Sequence, residues 1–391
     1  MKKINAQIIA DSKNEFGNRI TTFVLTYPRF IHAELLTHRM FSRNAASSRA
    51  IPAKKMIEDI ENDPFIPVAW QKSHSGMQGT EYFDKRNIKE NADEIVLKTD
   101  WLLSSKVAIR SAKILNERGV TKQLINRILE PYQWYTSIVT ATEYDNFFEL
   151  RCPQYEYGED VYKSRKDVYA APEYTQAPPS EDNGWIAEIE EKPKYLDNDL
   201  DWLKINKGQG EIHISLLAEA MWDAINESTP KELKAGQWHV PFGDKFEVPR
   251  VQELFQGIGG TIEDYKIAYE EYVIKIATAR CARVSYNNFE GKDDYEADIK
   301  LYDRLLESGH YSPFEHCARS MSEMEYASHI NGIVPTQEDS WGILNHEYYP
   351  IRRKKMFEEE EELHPMNENN GDRYGWSGNF RGFVQLRQII Q

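Results

Sequence analysis

The segment from Thr37 to Arg49 concentrates side chains that suit a phosphate-bearing ligand. Its thirteen residues include one histidine, three arginines and three serines. Arginine offers a planar fork of donors, and serine adds short hydrogen bonds without blocking access. A solvated basic helix face is the competing interpretation, because charge runs usually lie at the surface. An apolar stretch at 23–25 precedes the segment, and a basic cluster that begins where a buried strand ends favours a ligand site.

Two further arginines, Arg127 and Arg151, lie in apolar stretches and are predicted to be buried. A buried guanidinium must be paired or hydrogen-bonded, because its desolvation is costly. A structural ion pair with Glu130 or Glu149 is one interpretation, and contact with a ligand is the other.

The remaining motifs argue against a metal site and against a Gly-x-Gly-x-x-Gly cofactor loop. The ten histidines are scattered, and the sequence has no His-x-x-x-His or Cys-x-x-Cys pair, so no metal site is predicted. His310 follows Gly309, which is predicted to end a helix, and is either a locally satisfied histidine or a site residue. No Gly-x-Gly-x-x-Gly follows a predicted strand, and the glycine-rich run at 257–260 is interpreted as a turn.

The chain as a whole is that of a folded globular protein. Its 391 residues, 40% hydrophobic and 12% aromatic, can bury a large core. A net charge of −15 argues against binding of a nucleic-acid polymer but leaves room for a mononucleotide pocket lined by local arginines. No apolar run is long enough to span a membrane, and the N-terminal residues lack the apolar core of a signal peptide. Three cysteines, Cys152, Cys281 and Cys317, give no disulfide framework, so a cytoplasmic location is predicted.

Hydrophobic periodicity predicts one strand and several helices. The strand is predicted at 19–27. Helices are predicted at 30–40, 93–118, 121–150 with a break near Pro131, 211–226, 262–280 and 293–308. Residues 152–207 are rich in Tyr, Asp, Glu, Lys and Pro, with a Pro-containing run at 176–180, and are interpreted as a surface insertion.

The arginine- and serine-rich segment resembles the signature of flavin-dependent thymidylate synthases, written Arg-His-Arg, seven residues, then Ser. His38 and Arg39 match the signature, and the spaced serine falls on Ser47. Thr37 and Ala45 depart from the family, which has an arginine and often an acidic residue there.

Five other blocks extend the resemblance. The family's Arg-Ile-Leu-Pro, Asn-Phe-x-x-Leu-Arg and Ala-Gln-x-Glu-Ile blocks are similar to residues 127–131, 146–151 and 208–212. Its Ala-Arg-Val-Ser-Tyr and Gly-His-x-Ser-Pro-Phe-Glu-His blocks are similar to residues 282–286 and 309–316. Those last two blocks come first in the family and last here, so the chain is predicted to be a circular permutant.

The resemblance implies an α+β fold in which a helical layer packs on a mostly antiparallel sheet. Residues 1–151 then match the central and C-terminal family blocks, and 208–320 complete the catalytic domain. Residues 152–207 are the insertion, and 321–391 form a C-terminal extension to which no role is assigned.

The implied activity is reductive methylation of dUMP to dTMP. By analogy, NADPH reduces bound FAD and methylenetetrahydrofolate supplies the carbon, in a homotetramer whose sites are shared between subunits. Two alternatives stay open. Glu34 replaces a glutamine common in the family, which favours methylation or hydroxymethylation of another pyrimidine nucleotide such as dCMP. Thr37, Ala45 and Lys207, which aligns with a flavin-contacting histidine of the family, leave open a non-catalytic flavin or nucleotide sensor.

Site roles follow residue by residue from the matched blocks. The residues that the resemblance places in catalysis are His310, Arg151 and Arg127. The residues implied for the nucleotide are Ser47, Ser48, Arg49, Arg127, Arg151 and Glu34. The residues implied for the flavin are His38, Arg39, Asn146, Leu150, Ser312, Glu315 and Gln209.

Overall fold

The computed structural model describes residues 2–75, 79, 81–84, 86–172, 199–255, 261–286, 293–331, 372–373 and 376–390. The Pro-containing run at 176–180, the turn predicted at 257–260 and most of the C-terminal extension lie outside these residues.

The central element is a five-stranded sheet with the order β3-β4-β2-β1-β7. Its strands are β1 (Asn5–Asn14), β2 (Arg19–Pro28), β3 (Ser42–Ala45), β4 (Trp134–Ala141) and β7 (Lys231–Leu233). Neighbouring strands are antiparallel except β1 and β7, which are parallel. The fold is therefore α+β with a mostly antiparallel main sheet.

Smaller sheets surround this one. The pair β5 (Tyr155–Tyr157) and β6 (Asp160–Tyr162) forms a hairpin, and β8 (Trp238–His239), β9 (Ala318–Ser320) and β12 (Phe383–Gln385) form a three-stranded sheet. The pair β10 (Asp372–Arg373) and β11 (Trp376–Ser377) is antiparallel.

Thirteen helices are assigned within the described residues. They are α1 (His32–Leu36), α2 (Ala53–Asn62), α3 (Ile88–Glu117), α4 (Lys122–Ile125), α5 (Asp145–Arg151), α6 (Arg165–Ala170), α7 (Asp199–Ile205), α8 (Ile212–Glu227), α9 (Val248–Glu253), α10 (Ile262–Arg283), α11 (Tyr295–Glu307), α12 (Glu323–Asn331) and α13 (Leu386–Ile390). None of them combines the length and the hydropathy that a bilayer-spanning segment needs.

Both faces of the central sheet are covered. Phe23 and Leu25 of β2 belong to a core shared with helices α2, α3, α5 and α8, whereas Val24 belongs to a second core shared with α10 and α11. Alternate residues of a strand point to opposite faces, so β2 is buried over nearly its whole length. The sequence predicted one helical layer, whereas the nearly continuous burial of β2 comes from helices packed on both faces of the sheet.

The predicted strand at 19–27 and the helices at 93–118, 211–226, 262–280 and 293–308 are confirmed, with ends shifted by a few residues. The prediction for 121–150 is wrong over β4, because Trp134–Ala141 pairs with β2 and tertiary pairing overrides local periodicity. The predicted helix at 30–40 is also too long, since α1 ends at Leu36. Strand β1 was not predicted.

The described part of residues 152–207 has a small core of its own. Tyr155, Tyr157, Val168 and Trp202 pack together between the β5–β6 hairpin and helices α6 and α7. The two ends of the segment lie side by side, because the Lys207 amide donates to the Gln154 carbonyl at 2.9 Å.

A chain of buried polar side chains crosses the sheet. Thr22 Oγ1 lies 2.8 Å from both Thr140 Oγ1 and His239 Nε2, and Thr140 Oγ1 lies 2.8 Å from His316 Nδ1. His239 Nδ1 in turn lies 2.9 Å from Ser12 Oγ. Burial lowers the pKa of both histidines to about 3, so both are neutral at physiological pH. Among the described residues, His316 Nε2 has no hydrogen-bond partner.

These neutral histidines predict acid sensitivity of the fold. A histidine takes up a proton near pH 6.5 in the unfolded chain but only near pH 3 in the folded one. Stability is therefore lost as pH falls below 6.5, by about 1.4 kcal/mol per pH unit for each such histidine. We expect His316→Gln to reduce the slope of unfolding free energy against pH by about that amount between pH 6 and 4.

Urea unfolding at a series of pH values measures the slope. Above pH 7.5 histidine is neutral in both the folded and the unfolded state. The unfolding free energies of the wild type and of His316→Gln should therefore change with pH in the same way there, even if the substitution lowers stability by a constant amount. An unchanged slope below pH 6 would contradict neutral burial of His316.

Candidate functional site

The turn that follows α1 is fixed by a residue of β3. The Arg43 guanidinium donates to the carbonyls of Leu36 and His38 at 3.1 and 3.0 Å. The Leu36 carbonyl belongs to the last residue of the short helix and the His38 carbonyl lies two residues beyond it, so Arg43 supplies a donor to both where the helix does not continue. The turn therefore presents the His38 ring in one orientation beside the sheet edge.

Arg151 is the centre of the candidate site. It is the last residue of α5, where a cation is favoured by the helix dipole. Its Nε donates to His38 Nε2 at 3.2 Å, and its Nη1 lies 3.8 Å from Glu34 Oε2. Within the described residues, neither Nη group of Arg151 makes a hydrogen bond. Arg151 thus joins two other predicted site residues, His38 and Glu34, into what we call the Arg151 cluster, and it keeps donors available for a ligand.

The hydrogen bond from Arg151 determines the tautomer of His38. Because Nε2 accepts, the neutral ring carries its proton on Nδ1. Burial, reinforced by the charges of Arg151 and Arg43, lowers the pKa of His38 to about 4. His38 is therefore a neutral hydrogen-bonding group at pH 7 and not a cation.

Glu34 lies in the field of a second carboxylate. Glu211 caps the N-terminus of α8 by accepting from the His213 and Ile214 amides, and it accepts a 2.5 Å hydrogen bond from His213 Nδ1. His213 Nε2 accepts from the Val68 amide, which leaves the ring proton on Nδ1 for Glu211. Burial, followed by the charge of Glu211, raises the pKa of Glu34, although Arg151 opposes the shift.

A glycine brings the loop before α8 against Arg151. A Cβ built on Gly210 would lie 2.4 Å from Ser215 Oγ and 3.3 Å from the Arg151 carbonyl oxygen. The absence of a side chain at 210 thus lets the loop carrying Gln209 and Glu211 approach the end of α5.

The serine-rich turn at 46–51 is held from two sides. The Ser47 amide donates to the Ser285 carbonyl at 3.0 Å, which joins the turn to the 282–286 block. Asn126 donates from Nδ2 to the carbonyls of Ser48 and Ile51 at 2.8 and 2.9 Å. The Arg49 side chain is exposed.

The 309–316 block and the C-terminal segment meet at β3. The 3-10 helix Ser312–Glu315 packs on β3, and Glu315 forms an ion pair with Arg387 of α13. Gln385 Nε2 donates to Ser42 Oγ at 3.0 Å. The described end of the C-terminal extension therefore lies against the signature segment, at a position the sequence did not predict.

The remaining predicted flavin residues are at the surface. Arg39, Asn146, Leu150, Gln209 and Ser312 are all exposed. Within the described part of the chain, their side chains make no hydrogen bond or ion pair with other residues.

Two predicted catalytic residues, Arg127 and His310, make no hydrogen bond or ion pair with the Arg151 cluster among the described contacts. Arg127 was predicted to be buried, but it is 58% exposed and lies 3.4 Å from Glu130, because the 3-10 helix Asn126–Tyr132 turns it outward. The exposed His310 ring lies 2.8 Å from Ser308 Oγ, and the described hydrogen bonds and ion pairs do not join it to the signature segment.

Sequence reasoning missed Arg43, Asn126, Glu211 and Arg387. Arg43 was one of the three arginines of the signature segment, and Glu211 stood in a matched block, so both carried a signal. Asn126 directly precedes a matched arginine. Arg387 had none, because its role depends on how the C-terminal segment folds back.

All three cysteines are buried, and burial raises the pKa of each thiol, for Cys317 to about 12. Within the described residues, no group of three or more His, Cys, Asp or Glu side chains has a metal-binding arrangement.

Comparison with known proteins finds structural likeness but no match in sequence. No family model and no curated protein matches this chain. Among solved structures, a UMP/dUMP methylase, PolB, from Streptomyces cacaoi bound with 5-Br UMP is similar at 12% identity, over 58% of this chain and 90% of that chain, with a TM-score of 0.37. The same methylase bound with 5-Br dUMP is similar at 12% identity, over 58% and 91%, with a TM-score of 0.35. Likeness at this level carries no functional argument.

The arrangement of Arg151 and His38 makes a direct prediction. Replacing Arg151 by Met removes both a positive charge and the donor to Nε2. The pKa of His38 should rise from about 4 towards 6.5 without reaching it, because burial remains its main cause. NMR titration of the His38 ring carbon measures the shift.

Arg127→Met is the matched control, since Arg127 is an exposed arginine paired with Glu130. An Arg151→Met protein that folds and leaves the His38 pKa near 4 would show that the guanidinium does not act on this ring.

Proposed function

We propose that this chain is a pyrimidine nucleotide C5-methyltransferase, and that it converts dUMP to dTMP with FAD, NADPH and methylenetetrahydrofolate. The observation that carries the proposal is the convergence on β3 and the turn before it. Segments 282–286 and 312–316 pack there, and Arg151 joins His38 and Glu34 beside them. Each of these segments resembles a block of flavin-dependent thymidylate synthases. We further propose a homotetramer acting in the cytoplasm.

The donor set suits a phosphorylated pyrimidine. Arg49 is an exposed cation beside Ser47 and Ser48, in a turn fixed by Ser285 and Asn126. A guanidinium and two hydroxyl groups are suitable partners for a nucleotide phosphate. This local charge attracts an anionic ligand although the chain carries a net charge of −15.

The Arg151 cluster suits the pyrimidine ring. The Nη groups of Arg151 can donate to a ring carbonyl and stabilise negative charge that develops on it. Neutral His38 holds the guanidinium from one side, and Glu34 holds it electrostatically from the other. Charge-assisted hydrogen bonding of this kind would stabilise a transition state by about 2–4 kcal/mol.

The residues proposed for the flavin have compatible chemistry. Arg39 supplies a cation, Asn146 and Gln209 supply amides, and Leu150 supplies an exposed apolar surface. FAD, when bound, would supply the redox chemistry of the carbon transfer. The protein would contribute positioning, with Glu315 fixed by Arg387 and His38 fixed by Arg151.

Glu34 favours a second candidate substrate, dCMP. As a carboxylate, Glu34 can accept from the exocyclic amine of cytosine; in its protonated form it can donate to the O4 carbonyl of uracil. Because the pKa of Glu34 is raised, the protonated acid persists to a higher pH than for an ordinary glutamate, alongside the carboxylate.

The function is tested by flavin binding and substrate preference. The purified protein should bind FAD, seen as flavin absorbance, and methylate dUMP with methylenetetrahydrofolate and NADPH. The ratio of kcat/KM for dUMP to that for dCMP should fall as pH rises through the Glu34 pKa, because protonated Glu34 is lost. Glu34→Gln should flatten this dependence, since glutamine does not titrate.

A protein that takes up no FAD and turns over neither nucleotide contradicts the proposed function. Turnover of dCMP alone would establish the second candidate. A pH dependence of the ratio that is the same in Glu34→Gln would assign it to the nucleotides and not to Glu34.

A separate prediction concerns the thiols. A cysteine nucleophile needs a lowered pKa, whereas the buried Cys152 has a raised one. Cys152→Ser should therefore keep kcat/KM for nucleotide methylation within about threefold of the wild type. Arg151→Ala should lower it about 30- to 1000-fold in the same assay. Complete loss of turnover in a folded, flavin-loaded Cys152→Ser protein would favour a thiol mechanism instead.

A further inference from the structure

Helix α3 has two apolar faces, and only one of them is covered. Trp101, Ile109 and Ala112 face the core or its edge, and the Trp101 indole donates to the Phe65 carbonyl at 2.8 Å. On another face an apolar stripe is exposed within the described structure. Its members are Val96 (54% exposed), Leu103 (57%), Val107 (58%) and Ile114 (39%).

The spacing of the stripe is that of a helix-pairing seam. Its members follow one another by seven, four and seven residues, which are the separations between the a and d positions of a heptad. Eighteen residues of helix span about 27 Å, so the stripe runs along most of α3. An exposed apolar row of this length and regular spacing on one helix face is more than scattered surface apolar residues.

The two polar residues within the seam complement each other. Asp100 and Arg110 occupy the remaining a and d positions between Val96 and Ile114. They lie at equal distances on either side of the seam's midpoint, and their charges are opposite. Two copies of α3 in antiparallel orientation would place Asp100 of one against Arg110 of the other, twice in each pair.

The same symmetry pairs the apolar residues. In the antiparallel arrangement Leu103 faces Val107, and Val96 faces Ile114, with the two-fold axis crossing the helices between 103 and 107. A parallel arrangement would instead oppose Asp100 to Asp100 and Arg110 to Arg110, which is unfavourable. The charges therefore select the antiparallel orientation.

We propose that the α3 stripe, defined as residues 96, 100, 103, 107, 110 and 114, is a self-association surface that pairs antiparallel with the α3 stripe of a second copy of this chain. Such an interface is isologous, with the same patch on both subunits. The resemblance to a homotetrameric family assigns no surface, and this pairing does not depend on the activity proposed above.

Subunit mass in solution tests the surface. Light scattering coupled to size-exclusion chromatography should give an even number of chains for the wild type. Leu103→Glu/Val107→Glu should halve that mass, because four carboxylates would meet at the axis. Asn91→Glu is the matched control, since it adds a carboxylate to an exposed position of α3 outside the stripe.

A charge swap tests the pairing itself. Asp100→Arg and Arg110→Asp should each weaken association about tenfold at low salt, because like charges then meet twice. The double variant Asp100→Arg/Arg110→Asp should restore it. A monomeric wild type, or a wild-type mass in the Leu103→Glu/Val107→Glu protein, would overturn the proposal, as would a double variant no better than either single one.

Cross-linking tests the orientation. The native cysteines Cys152, Cys281 and Cys317 are buried, so an introduced thiol can be oxidised selectively. When Leu103→Cys and Val107→Cys proteins are mixed, antiparallel pairing should give the mixed disulfide in preference to either homodimer. Preferential homodimers would indicate a parallel pair and would overturn the proposed geometry.

Discussion

Burial of β2 and β4 from both sides is the constraint on which the rest of the structure depends. A strand covered on both faces leaves no water for its polar side chains, so Thr22 and Thr140 must find partners inside the protein. They find them in His239 and His316, which come from segments far away in sequence. The register of β2 against β4 and the positions of β8 and β9 are thereby coupled. Loss of either histidine would remove one of the two hydrogen bonds made by a buried hydroxyl, which costs about 0.5–1.5 kcal/mol.

The candidate site forms where this coverage ends. β3 is an edge strand of four residues, and Arg43 fixes the turn before it by donating to two of the turn's carbonyls. Backbone at such an edge is free to meet a ligand, while the interior of the sheet fixes its position. The two arginines at this edge differ in the same way. Arg43 donates to backbone carbonyls and is structural, whereas Arg151 keeps part of its donor capacity. The same residue type therefore serves the fold at one position and the proposed ligand at another.

The sequence predicted what depended on local pattern or on residue type. The long helices were found because their apolar residues and glycine ends are local signals, and Glu34, His38 and Arg151 were all named as site residues. Strand β4 was missed because its apolar residues, from Tyr135 to Ala141, fit a helix as well as a strand until β2 is placed beside it. The exposure of Arg127 depends on a 3-10 segment, and the contact of Arg387 with Glu315 joins two residues that are 72 positions apart in sequence. No local pattern encodes either.

The contacts of the late segments bear on the predicted permutation. Residues 282–286 reach the serine-rich turn through one backbone hydrogen bond from Ser47 to Ser285, and 312–316 pack on β3 as a 3-10 helix. Neither segment adds a strand to the central sheet, so neither depends on a connection to its neighbours in that sheet. Their role requires only that α10 and α11 bring them to the same edge. Packing of this kind does not depend on the order of segments in the chain, because the segment that covers a strand can come earlier or later in the sequence than that strand. A site built in this way tolerates rearrangement of its blocks, whereas a site built from consecutive strands would be disrupted by it.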